Sequence, residues 1–117
     1  MLLVVNQTKQ TSLGNKIERA NTFFTRLKGL LGCKGLAEGE GLLLEPCQSV
    51  HGLGMSFSCE IIYLDKENRV IHLQTLSPGK LGPFQRKSTR ILEVPIGTIS
   101  YSATDIGDLL KVQEHNR

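Results

Sequence analysis

The apolar positions of the chain change period partway along it. Phe23, Phe24, Leu27, Leu30 and Leu31 fall at helical spacing, with Arg26 and Lys28 between them. Asn21 or Thr22 can cap such a helix and Gly32 can stop it, so the spacing predicts one short helix over about residues 22–31. Gly29 weakens a helix interior by about 1 kcal/mol relative to Ala, and its presence there predicts close packing against a neighbouring backbone. Ile17 to Ala20 reads as the lead into the cap.

From Leu42 onward the apolar runs shorten to strand length. Leu42 to Leu44 is one, and Glu60 to Asp65 (EIIYLD) and Arg69 to Gln74 (RVIHLQ) are two more, joined by Lys66-Glu67-Asn68 into a predicted β-hairpin. Pro78, Gly79, Gly82 and Pro83 mark a loop. Thr89 to Val94 (TRILEV) alternates and ends at Pro95, and Asp105 to Val112 reads as a turn feeding a final strand. About six short strands and one helix predict a mainly β (α+β) fold, a small barrel or a curled sheet closed by the helix.

At 117 residues, 39% hydrophobic and 21% charged, the sequence is expected to form one domain over 1–117. Met1 to Val5 is too short for the apolar part of a secretion signal, and no run nears the roughly 20 apolar residues that cross a bilayer. A soluble, cytoplasmic protein without membrane insertion is therefore expected. Three cysteines, an odd number, point to reduced thiols rather than a disulfide framework.

The net charge is +3, from 14 basic and 11 acidic residues. Ser77 to Leu92 carries Lys80, Arg86, Lys87 and Arg90 without an acid, and Asn6 to Lys34 carries six basic residues against Glu18 alone. Nucleic-acid binding through Lys80, Arg86, Lys87 and Arg90 is the weakest functional reading, because the segment has few aromatics and no nucleic-acid motif. Solvated surface cations explain it more simply.

"RLKGLLGCKGL", "EGEGLLLEPCQSVHGLGMSF", "IIYLDKENRVI", "ILEVPIGT" and "IGDLLKV" occur in an order and spacing that resemble domain of unknown function 192, also called uncharacterised-protein family 0127. The resemblance spans about Ile17 to Val112. It is greatest to a branch whose central motif reads Pro-Cys-x-Ser-Ile-His-Thr-Phe-Gly-Met-x-Phe-Pro-Ile-Asp, which Pro46, Cys47, Ser49, Val50, His51, Gly54, Met55 and Phe57 match. Gly52 replaces Thr, Ser58 replaces Pro, Cys59 replaces Ile, Glu60 replaces Asp, and Cys33 replaces a common Arg. The resemblance implies a β-rich fold with a short helix and carries no activity with it.

The chemistry of the stretch rests on residue types. Cys47, His51 and Glu60, or Cys59 in place of the acid, would make an open three-ligand zinc set. The same Cys47 and His51, with Glu60 or Asp65 orienting the imidazole, would make a thiol nucleophile and its base in a hydrolase-type enzyme. Neither spacing is a strong signature, and no complete catalytic set is visible. Glu60, if it points inward, needs a partner, for which Arg26, Arg69 and Arg90 are the candidates. The reading that asks least is a non-catalytic binding or accessory module. Its pocket is expected to be lined by His51, Met55, Phe57 and Glu60 and to take a small ligand or a protein segment, with no cofactor expected.

Overall fold

The computed structural model describes residues 1–22, 25, 26, 29, 30 and 33–115. In chain order the strands are β1 (Leu2–Asn6), β2 (Thr11–Ala20), β3 (Glu40–Leu44), β4 (Cys59–Leu64), β5 (Val70–Leu76), β6 (Arg90–Val94) and β7 (Leu110–Glu114). A five-residue helix, α1 (Thr98–Ser102), stands between β6 and β7. The strands form one sheet in the order β5-β4-β6-β3-β2-β1-β7, parallel at β2–β3 and antiparallel at every other pair.

The two ends of that order come together at one corner. Val70 N donates to Asp108 O at 2.8 Å, Leu110 N to Asn68 O at 2.9 Å, and Gly107 N to Val70 O at 2.8 Å. The start of β5 is thereby tied to the start of β7, and the sheet curls into a half-barrel. The mainly β reading holds, with seven strands among the described residues rather than about six.

The extra strands lie at the start of the chain. Met1 to Val5, weighed only as a leader, supplies most of β1, where Leu2, Val4 and Asn6 face inward. β2 escapes a period-two reading because Leu13, Ile17 and Ala20 are its buried apolar residues, spaced four and three apart. Register shifts against β1 produce that spacing, and it imitates a helical stripe. Ile17 to Ala20 is therefore strand, not the lead into a helix cap.

Of the helix predicted over 22–31, Phe23, Phe24, Leu27 and Leu31 lie outside the described residues. Thr22 and Thr25 form a reciprocal cap, Thr25 N donating to Thr22 Oγ1 at 3.1 Å and Thr22 N to Thr25 Oγ1 at 3.0 Å. Arg26 N donates to Thr22 O and Gly29 N to Thr25 O, both at 3.0 Å. Gly29 has φ +51°, the left-handed geometry that closes a helix, so its role is a terminus rather than interior close packing.

Apolar side chains bury on both faces of the central strands. Leu92 and Val94 of β6 join Leu43, Ile62 and Leu64 inside the curl. Ile91 packs on the opposite face with Leu44, Ile61, Tyr63, Val50 and Met55, beneath the connections that follow β2, β3 and β5. Strict alternation puts Glu93 on that second, loop-covered face.

Candidate functional site

The segment 45–58, which holds the Cys47 and His51 motif, lies against the segment 77–89 as an irregular antiparallel ribbon. Cys47 N donates to Thr89 O at 3.0 Å, Gln85 N to Gln48 O at 2.9 Å, Gly82 N to Val50 O at 2.8 Å and Gly52 N to Lys80 O at 2.7 Å. His51 bridges Leu81 within it. A Cβ at Gly52 would stand 2.4 Å from Ser77 O, so no side chain has room here. Tyr63, rising from β4, fixes the underside by donating to Pro83 O at 2.8 Å.

Between this ribbon, the turn that bears Arg26 and Leu30, and the outer face of β3 and β6 lies a cavity of about 340 Å³. Leu30, Leu44, Val50 and Met55 supply apolar wall. Arg26, Cys47, His51 and Glu93 supply most of its chemistry. At its mouth Leu53 and Phe84 are 55% and 65% exposed.

Among the described residues, two that line this cavity have a buried polar atom without a hydrogen-bond partner, His51 at Nδ1 and Glu93 at Oε1. Glu93 is 2% exposed, and on the sheet it stands between Leu42 of β3 and Ile61 of β4. Burial pushes its carboxyl up to about 7. Burial also raises the Cys47 thiol, which donates to Ser49 O at 3.0 Å; the Glu93 charge adds to that rise and the Arg26 charge opposes it. Such a thiol is held protonated, the reverse of an activated nucleophile. Burial takes Cys59 up to about 12, and it is a core side chain at 0% exposure.

The residues singled out from the sequence part company. His51 and Met55 line the cavity, while half-buried Phe57 packs beside the outer core cluster. Glu60 lies elsewhere. Its Oε1 accepts from Ile99 N at 2.8 Å and its Oε2 from Gly97 N at 3.1 Å, so the carboxylate caps the start of α1. Backbone amides take the place of the expected arginine partner. Cys47, His51 and Glu60 therefore do not assemble, and among the described residues no three His, Cys, Asp or Glu side chains group as metal donors.

Arg90 is not part of a free basic patch. Its Nε donates to Glu45 Oε1 at 2.6 Å and its Nη1 to Asn68 Oδ1, which leaves Lys80, Arg86 and Lys87 as the exposed cations. Sequence reasoning missed Glu93. The available signal was an acid enclosed by Ile91, Leu92 and Val94, since a nearly unbroken apolar run marks a strand covered on both faces.

The architecture has solved counterparts. A protein of unknown function from Novosphingobium aromaticivorans matches with TM-score 0.79 at 19% identity, over 94% of this chain and 82% of that one. A putative transcription regulator from Sinorhizobium meliloti matches with TM-score 0.79 at 14% identity, over 95% and 91%. At those identities the likeness shows the fold alone. Among sequence relatives, the UPF0127 protein of Pyrococcus horikoshii is 29% identical over 112 residues, covering 93% of this chain and 97% of that protein. The UPF0127 protein of Thermococcus kodakarensis is 27% identical over 113 residues, covering 92% and 71%. The family model DUF192, described as "Uncharacterized ACR, COG1430", matches residues 4–112, nearly the whole sheet together with the cavity, and the chain belongs to that family.

Proposed function

We propose that this protein is a non-catalytic binding module that takes a small ligand into the cavity beneath the 45–58 and 77–89 ribbon. The observation that carries the reading is that Glu93 and His51, two residues lining one cavity, each hold a buried atom, Oε1 and Nδ1, without a hydrogen-bond partner among the described residues. Buried polar groups are nearly always satisfied, and leaving one unmet costs on the order of 1–3 kcal/mol. A ligand that brings hydrogen-bond partners to both atoms removes that cost. The exposed apolar mouth at Leu53 and Phe84 supports the same reading, as does a volume within the usual range for small-molecule sites. A thiol enzyme would need Cys47 ionised and Glu60 beside it, and burial and the α1 cap oppose both.

The test is amide NMR of the isotopically labelled protein against a mixed set of small polar metabolites. Saturable shifts at Val50, His51, Met55 and Glu93 are expected for some members of the set. Saturable shifts confined to residues outside the cavity, or none at any concentration up to tens of millimolar, would remove the proposal.

A further inference from the structure

Resting on the binding-module reading, we infer that the ligand is a small zwitterion of the amino-acid type, its ammonium directed to Glu93, its carboxylate to Arg26 and its apolar body to the aliphatic wall. The inference comes from two opposite charges that share a cavity without meeting. Glu93 has no hydrogen-bond partner on Oε1 and is nearly sealed from solvent. Among the described residues Arg26 makes one long side-chain hydrogen bond, Nη1 to Glu45 O at 3.5 Å, and no carboxylate lies within salt-bridge distance of it. Both residues line the same cavity, as does Cys47.

A simple cation would satisfy Glu93 and be repelled by Arg26, and a simple anion would meet the reverse. A molecule with both charges a few ångströms apart satisfies each, and Leu30, Leu44, Val50 and Met55 accommodate a short aliphatic side chain. Charge-assisted hydrogen bonds are the strong ones, and they strengthen further out of water. Among the described residues, Arg26, His51, Cys47, Cys59 and Tyr63 are the titratable or charged groups near the Glu93 carboxylate. Burial keeps the two thiols and the phenol protonated through the neutral range. Binding an ammonium requires Glu93 ionised, so affinity should rise with pH up to about 7 and level off beyond it.

Three probes of one skeleton provide the test: norleucine with both charges, pentylamine with the ammonium alone, and hexanoate with the carboxylate alone. Titrated into the full chain at pH 8 and followed by NMR, norleucine should bind at least about tenfold more tightly than either of the others. Glu93→Gln should weaken norleucine about tenfold, leave hexanoate unweakened and abolish the pH dependence, while Arg26→Gln should weaken norleucine and leave pentylamine unweakened. Pentylamine or hexanoate binding in the cavity as tightly as norleucine would overturn the ligand class and leave the binding site standing. Failure of all three probes, with other metabolites shifting the cavity residues, would do the same. Failure of every compound to reach the cavity would remove the site and the ligand together.

Discussion

Asp108 and Glu93 are both nearly buried carboxylates, at 5% and 2% exposure, and the protein treats them in opposite ways. Asp108 Oδ2 accepts from Lys9 Nζ at 2.8 Å, from Asn6 Nδ2 at 2.9 Å and from Asp105 N at 3.0 Å. Asn6 Nδ2 also lies 3.1 Å from Thr104 Oγ1, so the cluster fastens the β1–β2 turn to the entry of β7. Although desolvation pushes the Asp108 carboxyl up, those donors outweigh it and hold it at about 2. Glu93 has desolvation and, among the described residues, no donor on Oε1, and its carboxyl goes to about 7. Burial alone does not set the charge state of an acid; the donors aimed at it do.

Removing the satisfied acid should do the most damage. Asp108→Ala strands Asn6 and Lys9 at the corner that curls the sheet, and a loss of about 3 kcal/mol is expected in urea unfolding at pH 7. A loss below about 0.5 kcal/mol would mean that the cluster does not hold the corner. The pH profile has a definite sign: a carboxyl depressed from 3.8 to about 2 stabilises the fold above pH 3.8, and that contribution disappears as pH falls through 2. In Asp108→Asn the part of acid sensitivity that lies in this window should vanish.

Glu93 should show the mirror image. Raised from 4.5 to about 7, it leaves the folded state holding more protons than the unfolded state between those values, so stability falls as pH rises through that window and is flat above it. The decline attributable to this group is about 3 kcal/mol between pH 4.5 and pH 8. Glu93→Gln should therefore gain on the parent protein over that interval by the same amount, about 3 kcal/mol, from a starting point lowered by the unmet hydrogen bonds of the amide. Parallel stability curves for the two proteins would show that Glu93 already has a partner, and the contrast with Asp108 would collapse.

How far the sequence foretold these sites depends on what covers each strand. The β4–β5 hairpin was legible because the Lys66 to Asn68 turn is local, and Asn68 takes the left-handed conformation that such a turn needs. β1 and β2 were not, because the register shifts between them break the period on which strand recognition relies. His51 and Met55, expected to line a pocket, both line the cavity. Glu93 was passed over because alternation in TRILEV assigns every second residue to solvent, whereas loops distant in sequence cover that face here. Glu60 was overvalued for a related reason: proximity to His51 along the chain suggested a shared pocket, and the strand carries its carboxylate to the amides of α1 instead. What a sequence withholds in both cases is which long-range neighbour a side chain meets.

Glu60 provides the smallest and most discriminating test of the contrast. Like Asp108 it is met by donors, here the Gly97 and Ile99 amides, and like Glu93 it is a glutamate on a central strand. If donors mark the structural acids, Glu60→Ala should cost only what a lost helix cap costs, about 1 kcal/mol, because solvent can reach the freed end of a five-residue helix. That loss should appear as a fall of about 4 °C in Tm, with the affinity of any cavity-bound probe unchanged. Loss of probe binding in Glu60→Ala with Tm unaltered would reverse the assignment, since it would make a carboxylate already engaged by two amides the one that the ligand needs.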